Sequence, residues 1–164
     1  MNKAVFLDRD GVINQEIGDY VYKIEDFKFN TGLFTGLRLL QEYDYKLIIV
    51  TNQGGIAKGK YTFREINELH NFMIEKLLEE GIEIDDIYIC PHHHTIAPCL
   101  CRKPNSMMIE KAIAKHHIDS SQSFLIGDKE RDIFAGEKVG IKGILIETNT
   151  NILPRVKMDI LNVI

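Results

Sequence analysis

Close to the N-terminus stands the stretch Val5-Phe6-Leu7-Asp8-Arg9-Asp10-Gly11-Val12. Its apolar half is typical of a buried strand, and Gly11 indicates the turn that ends it. Asp8 and Asp10 are two residues apart, so in an extended segment their side chains point to the same side. In an open α/β sheet, ligands bind beyond the carboxyl ends of the strands. The pair therefore lies where an active site is expected, although a strand-ending aspartate followed by a turn aspartate is also common without any chemistry.

Four more apolar runs follow, separated by segments of helical periodicity. We predict strands at residues 4–7, 47–50, 87–89, 124–126 and 144–146. Helices are predicted near residues 33–40, 62–81, 108–113 and 129–139. Thr62 and Glu65 form a capping box at the start of the second helix, and Gly81 suits the position just after its end. This alternation predicts an α/β fold, a Rossmann-like doubly wound parallel sheet. The tail beyond Thr148 has a mixed pattern but is apolar enough to pack against the body.

The composition fits one globular domain over residues 1–164. Apolar residues make up 45% and charged residues 27% of the chain, and the formal net charge is −4. Lys and Arg are scattered, which does not favour a nucleic-acid partner. No apolar run approaches membrane-spanning length, and the N-terminus lacks a signal-peptide pattern. We therefore expect a cytoplasmic monomer that binds neither nucleic acid nor membrane.

Polar residues recur just past the predicted strands. Thr51, Asn52 and Gln53 follow the second strand, and Asp128 follows the fourth. Lys103 lies in an Arg-Lys-Pro segment that is predicted to open a helix. Because parallel strands end at the same edge of a sheet, this edge gathers carboxylates, a hydroxyl and a lysine.

These residue types suit phosphoryl transfer to a carboxylate nucleophile. Asp8 can attack phosphorus, and Asp10 can protonate the leaving oxygen and later deprotonate water. Thr51 and Lys103 can hold the phosphoryl oxygens. Asp128 can join Asp8 on a hard cation such as Mg²⁺.

A second cluster contains every cysteine of the chain. Cys90, Cys99 and Cys101 lie within twelve residues, which does not resemble a disulfide framework. With His92 they make a set suited to structural Zn²⁺, and the Cys-x-His spacing favours His92 over the two histidines that follow it. A polar loop with incidental thiols is the alternative.

Four ordered motifs resemble those of the haloacid dehalogenase (HAD) superfamily of phosphatases. They are residues 8–14, Thr51, Lys103 and residues 127–132. The resemblance implies an aspartyl-phosphate at Asp8, with Asp10 as the acid/base. It also implies Mg²⁺ bound by Asp8, the backbone carbonyl of Asp10 and Asp128. Asp132 is then either a supporting acidic residue or an exposed helix aspartate.

The cysteine cluster and the Cys-Arg-Lys-Pro segment resemble one branch of this superfamily. That branch is small, lacks a cap, binds zinc and contains D-glycero-D-manno-heptose-1,7-bisphosphate phosphatases and histidinol-phosphatase domains. Only 42 residues separate Asp8 from Thr51, too few for a folded cap domain beside the helix already predicted there. The resemblance implies that loops choose the substrate. The implied substrate-contacting residues are Glu16, Ile17, Gly18, Asp19, Thr51, Asn52, Gln53, Gly54, Arg102, Lys103 and Lys129.

The resemblance implies hydrolysis of the heptose bisphosphate to the heptose 1-phosphate, in the synthesis of the lipopolysaccharide core or of GDP-heptose. Histidinol phosphate is the alternative substrate, because only six residues lie between His92 and Cys99, as in the short loops of histidinol-phosphatase domains. A non-enzymatic phospho-receiver domain is an alternative of another class. Its acceptor aspartate would follow the third strand, where this chain has Cys90.

Three further positions have plain structural interpretations. His70 is predicted to be a surface residue of the second helix. His116 and His117 are predicted to close the third helix, and the Met107–Met108 pair is predicted to join the core.

Overall fold

The computed structural model describes residues 1–163. Five parallel strands form one sheet: β1 (Lys3–Leu7), β2 (Tyr45–Asn52), β3 (Asp86–Cys90), β4 (Phe124–Gly127) and β5 (Lys142–Leu145). Four helices connect them: α1 (Leu33–Glu42), α2 (Phe63–Glu79), α3 (Met107–His116) and α4 (Glu130–Glu137). Two short 3₁₀ helices span Ile24–Asp26 and Ser120–Gln122, and α5 (Leu153–Arg155) continues as a π-helix over Val156–Leu161.

The strand order β3-β2-β1-β4-β5 confirms the doubly wound sheet. The chain moves outward from β1 to β3 and then returns to the other side of β1. The order therefore reverses between β1 and β4, which is where such sheets open a crevice for ligands. The Asp8 backbone amide donates to the Ile126 carbonyl at 3.1 Å, so the turns after both strands begin side by side.

The two faces of the sheet carry separate cores, as alternation along a strand requires. Val5 and Leu7 pack on the face covered by α1, α2 and the C-terminal helical segment. Ala4 and Phe6 pack on the face covered by α3 and α4. The tail beyond Thr148 contributes buried Ile152, Val156 and Ile160 to the first core. Its apolar residues thus recur every four positions, which suits a helix lying on the body.

Several element ends agree with the sequence signals. The Thr62 hydroxyl accepts from the Glu65 amide while the Glu65 carboxylate accepts from the Thr62 amide, which confirms the capping box. Gly81 follows the last turn of α2 with φ of +73°, a conformation that costs a glycine little. His117 ends α3 in a left-handed conformation. Of the Met107–Met108 pair, Met108 is buried in the core.

Several boundaries differ from the predictions by one to three residues; β2, for example, begins two residues earlier and ends two residues later than predicted. The segment after Arg102 does not open a helix, because α3 begins only at Met107 after a turn. The last strand spans Lys142–Leu145, so it begins two residues and ends one residue earlier than predicted, although Ile146 is still buried beyond its end. No helix among residues 1–163 is long and apolar enough to cross a membrane.

Candidate active site

Asp8 lies at the end of β1, almost fully buried, with its carboxylate against Lys103. Its Oδ1 accepts from the Lys103 ammonium at 2.7 Å. Burial raises the pKa of Asp8 to about 7, and nearby Asp132 and Asp10 add to the shift, whereas Lys103 opposes it. A carboxylate in this position is stable as an anion only with enough positive charge around it.

Lys103 is also buried, and its ammonium group lies among three oxygens. Besides Asp8, it contacts Asp132 Oδ1 at 2.8 Å and donates to the Val50 carbonyl at 2.7 Å. Burial alone would lower the pKa of Lys103, but the two carboxylates raise it. Lys103 therefore carries its charge at the centre of the site.

Asp132 is fully buried, which decides between the two interpretations that the sequence left open. One of its oxygens pairs with Lys103, and the other accepts from the Lys129 backbone amide at 3.1 Å in the first turn of α4. A side-chain Cβ at Gly127 would lie 2.3 Å from Asp132 Cβ, so glycine is needed there for this approach. Asp132 is a supporting carboxylate that orients Lys103.

Asp10 is bound by three donors. The Arg9 guanidinium donates to both carboxylate oxygens at 2.8 and 3.0 Å, Asn14 donates to Oδ1 at 3.0 Å and Gln53 donates to Oδ2 at 3.1 Å. Burial alone would raise the pKa of Asp10, but these donors hold it below its usual value. In this structure Asp10 is thus ionised, the form that accepts a proton.

The prediction for His70 was wrong. Its side chain is buried, and Nε2 lies 3.0 Å from Arg9 Nη1. His70 is four residues after Ile66 and three before Met73, so it belongs to the buried stripe of α2. Because histidine is polar, His70 was predicted to be exposed at the surface. Its spacing from the buried residues of α2 indicates instead that it faces the interior.

The end of β2 supplies the amide and hydroxyl groups of the site. The buried Thr51 hydroxyl accepts from the Gln53 amide at 2.8 Å and keeps its own proton for a ligand oxygen. Asn52 forms paired hydrogen bonds with the backbone of Lys103, at 3.0 and 3.1 Å. Asn52 therefore fastens the lysine-bearing loop to the neighbouring strand.

Three carboxylates, Asp8, Asp128 and Asp132, have oxygens within 4.8 Å of one another. Asp128 Oδ2 accepts from Thr148 at 2.7 Å and pairs with Lys129 at 3.0 Å. Asp128 Oδ1 is buried and has no hydrogen-bond partner within residues 1–163. A buried carboxylate oxygen needs a partner, and a divalent cation supplies one. Both oxygens of Asp132 are engaged, by Lys103 and by the Lys129 amide, whereas Lys103 contacts only Oδ1 of Asp8, so Asp8 and Asp128 fit the predicted Mg²⁺ ligands.

The cysteines and His92 converge at the end of β3. Cys90 Sγ lies 3.7 Å from both His92 Nδ1 and Cys99 Sγ, and Cys101 Sγ lies 3.1 Å from His92 Nδ1 and 2.9 Å from Cys90 Sγ. The two 3.7 Å separations match the edges of a zinc tetrahedron with sulfur and nitrogen ligands, about 3.5–3.8 Å, whereas Cys101 Sγ lies closer to its two neighbours than such an edge. The four ligand atoms all lie within 4.8 Å of one another, so the set fits Zn²⁺.

A cavity of about 450 Å³ opens beside Asp10. Most of the predicted substrate-contacting residues line it, namely Glu16, Gly18, Asp19, Asn52, Gln53, Gly54, Arg102 and Lys129. Ile17 is half exposed outside this lining, buried Thr51 is not part of it, and Lys103 lines a neighbouring cavity of about 380 Å³.

Sequence reasoning did not assign Tyr20, His93 and Arg131 to the site, although they also line the 450 Å³ cavity. Arg102 and Arg131 line both cavities. Arg131 lies three residues after Asp128, within the last quoted motif, so its place in the first turn of α4 could have indicated it. The cavity thus combines two guanidinium groups and an ammonium with the carboxylates of Asp10, Glu16 and Asp19.

Comparison with known proteins agrees with this arrangement. A sequence model of the HAD-hydrolase-like family matches residues 100–156. The chain is 46% identical over 145 residues to D-glycero-alpha-D-manno-heptose-1,7-bisphosphate 7-phosphatase of Photorhabdus laumondii, covering 85% of this chain and 79% of that protein. It is 44% identical over 151 residues to the D-glycero-beta-D-manno-heptose-1,7-bisphosphate 7-phosphatase of Helicobacter pylori strain J99, covering 90% and 84%.

A solved structure shows the same fold. The D,D-heptose 1,7-bisphosphate phosphatase of B. bronchiseptica, crystallised with magnesium and phosphate, superposes with a TM-score of 0.84 at 29% identity. The match covers 96% of this chain and 86% of that one. With its four ordered motifs on a doubly wound sheet, this chain is a HAD-type phosphatase and belongs to the D-glycero-D-manno-heptose-1,7-bisphosphate 7-phosphatase family.

Proposed function

We propose that this protein hydrolyses the 7-phosphate of D-glycero-D-manno-heptose 1,7-bisphosphate and releases the heptose 1-phosphate and inorganic phosphate. The observation that carries the proposal is the contact of Asp8 with Lys103, together with the 450 Å³ cavity that Asp10 lines beside Arg102, Lys129 and Arg131. The names of the relatives supply the sugar. The two relatives differ in anomer, so both anomers belong in the assay.

In the first step, an oxygen of Asp8 attacks the phosphorus of the 7-phosphate, and the bond from phosphorus to the sugar oxygen breaks. The departing alkoxide takes a proton from Asp10, which must be protonated before this step. The products are the aspartyl-phosphate at Asp8 and the sugar 1-phosphate. The contacts from Arg9 and Gln53 hold Asp10 ionised in the absence of substrate.

In the second step, Asp10 takes a proton from water, and the resulting hydroxide attacks the phosphorus of the aspartyl-phosphate. The acyl–phosphate bond breaks, so inorganic phosphate leaves and the Asp8 carboxylate is restored. Asp10 then passes this proton to the next leaving group or releases it to solvent, which restores the ionised form that Arg9 and Gln53 favour. One residue thus serves as acid and base in turn, as a two-step displacement requires.

The remaining groups stabilise charge on the transferred phosphoryl group. Lys103 lies against Asp8, and the Thr51 hydroxyl has a proton to donate. Mg²⁺ bound by Asp8, Asp128 and the Asp10 backbone carbonyl would neutralise phosphoryl charge in the way divalent ions do in such sites. Since that charge is delocalised over several oxygens, preorganised donors contribute most of the catalysis.

The second phosphate of the substrate gives the cavity cations a role. Arg102, Lys129 and Arg131 line the cavity together with Asp10, and a guanidinium binds a phosphate through paired hydrogen bonds. Arg102 also donates to the His92 carbonyl at 3.0 Å, so the cysteine loop positions it. We propose that these residues hold the 1-phosphate.

We further propose that Cys90, His92, Cys99 and Cys101 bind a structural Zn²⁺. A loop with few buried apolar residues then gains its shape from the metal. Three cysteines that serve as metal ligands also need a reducing compartment, which supports a cytoplasmic location. Metal analysis of the purified protein should give one zinc per chain, retained in an Asp8→Asn variant.

The test is phosphate release from both anomers of the heptose bisphosphate and from histidinol phosphate, measured with Mg²⁺ on the same preparation. We expect the heptose bisphosphate to have the higher kcat/KM by at least about tenfold, because only it offers a second phosphate to Arg102. Asp8→Asn is the control for a contaminating phosphatase. A higher kcat/KM for histidinol phosphate would overturn the proposal and favour the alternative that the short cysteine loop suggests.

A further inference from the structure

Arg9 stands between Asp8 and Asp10 in the sequence, and its side chain is fully buried. That side chain contacts Asp10, the Val21 carbonyl and His70. It donates to both oxygens of Asp10, and Nη2 also donates to the Val21 carbonyl at 2.6 Å. Val21 follows the segment 16–20 that lines the cavity. The guanidinium therefore links the acid/base to the loop over the substrate.

His70 on α2 completes this arrangement from the opposite side. Arg9 Nη1 lies 3.0 Å from His70 Nε2, and a guanidinium can only donate, so the imidazole accepts. Nε2 must then be unprotonated and Nδ1 must carry the proton. Burial, with the cation of Arg9, lowers the pKa of His70 to about 3, so the ring remains the neutral acceptor at working pH.

We propose that His70 is a positioning residue for the acid/base: by accepting from Arg9 it fixes the guanidinium in the orientation that directs the Asp10 carboxylate at the leaving oxygen. This inference rests on the proposed role of Asp10. His70 does not line the cavity, and its polar contact is with Arg9, so we expect its effect to pass through Arg9.

The contacts of Arg9 explain this dependence. Nη2 donates to both oxygens of Asp10, and Nε also donates to Oδ1, so the position of the guanidinium restrains the orientation of the carboxylate. Without an acceptor at Nη1, the guanidinium is held only through Nε and Nη2, and a shift of Arg9 weakens its contacts with Asp10 although Asn14 and Gln53 still bind that carboxylate. Proton transfer needs the donor within hydrogen-bond reach of the leaving oxygen, so a shift of about 1 Å is costly.

Three substitutions of His70 distinguish a role in positioning Arg9 from a role in core packing alone. His70→Gln places an amide near the position of Nε2 and can still accept from Arg9. His70→Asn has the same chemistry but ends near the position of Nδ1, out of reach. His70→Leu keeps the volume and removes the acceptor. Thermal unfolding of all three checks that each variant is folded at the assay temperature.

Two substrates give the readout. One is an alkyl phosphate that the wild type hydrolyses, the heptose bisphosphate if the proposed function holds. The other is p-nitrophenyl phosphate, whose phenolate leaves without needing a proton. Because kcat/KM reports events up to the first irreversible step, it depends on the acid only for the alkyl ester.

For His70→Asn and His70→Leu we expect kcat/KM to fall about tenfold with the alkyl ester and less than about twofold with p-nitrophenyl phosphate. His70→Gln should stay within about threefold of the wild type on both. Nitrogen NMR of the wild type should show His70 with a bare Nε2 between pH 5 and pH 8.

An equal loss on both substrates, no loss on either, or a protonated Nε2 would overturn the inference. The wild type tests the proposed function separately. If it hydrolyses other alkyl phosphates but not the heptose bisphosphate, the proposed substrate is wrong. The comparison of the His70 variants on those alkyl phosphates then still tests the positioning role of His70. If it hydrolyses no phosphate ester, both fail together.

Discussion

His70→Gln should make folding stability less dependent on pH than it is in the wild type. The imidazole has a pKa of about 3 when folded and 6.5 as its ordinary value. The unfolded chain therefore binds a proton as pH falls below 6.5, whereas the folded chain does not, and stability is lost over that interval. Between pH 7.5 and pH 5.5 this one group costs the wild type about 1.4 kcal/mol, because the unfolded state is about ten-elevenths protonated at pH 5.5. Glutamine does not titrate, so the variant lacks this contribution.

The assay is urea unfolding of both proteins at the two pH values, with the same metals present. Carboxylates and thiolates contribute equally to the pH dependence of the unfolding free energy in both proteins. Their contribution therefore cancels when the change between the two pH values in one protein is subtracted from the change in the other. The groups that face His70 are Arg9 and, through it, Asp10, and both remain in the variant. A difference between the two proteins below about 0.5 kcal/mol would refute the reasoning, since it would mean that His70 titrates alike in the folded and unfolded states.

Three other substitutions probe the site. Asp8→Asn should abolish turnover while the zinc content and fold remain, as checked by phosphate release, metal analysis and circular dichroism. Lys103→Met should destabilise the protein by about 3–5 kcal/mol in urea unfolding, because Asp132 loses its buried cation; a loss under about 1 kcal/mol would contradict the contact. Arg131→Ala should raise KM for the heptose bisphosphate about tenfold and leave p-nitrophenyl phosphate unaffected, whereas equal effects on both substrates would remove Arg131 from the 1-phosphate site. Exposed Arg64, paired with Glu68 on α2, is a matched control for the loss of one arginine.

The fold could be predicted from short-range patterns. Runs such as residues 47–50 are apolar on both faces because β2 is covered on both sides, and residues 66–77 repeat at helical spacing because α2 has one buried stripe. The predicted ends of strands and helices were less accurate where the chain enters turns. Residues around Lys103 form a turn because hydrogen bonds to Asn52 on another strand determine their path.

The candidate site was predictable where a residue lies at the end of a strand or directly after it. Asp8, Thr51 and Asp128 lie at one edge because parallel strands end together. His70 and the buried state of Asp132 were not predictable in this way, since each depends on a partner far away in the chain. A polar residue on a helix has the same local pattern whether it meets water or a buried cation. Only the packed structure distinguishes the two.

The loop from His92 to Cys99 begins and ends at ligands of the proposed zinc site, so its length and sequence can differ between related proteins. Residues can be inserted or removed between two points held by one ion without moving the strand before them or Lys103 after them. The cavity wall that such a loop provides can thus change shape while Asp8, Asp10 and Lys103 stay where they are. Because the metal holds both ends of the loop, mutations in the loop can change which substrate the cavity accepts while the catalytic residues keep their positions.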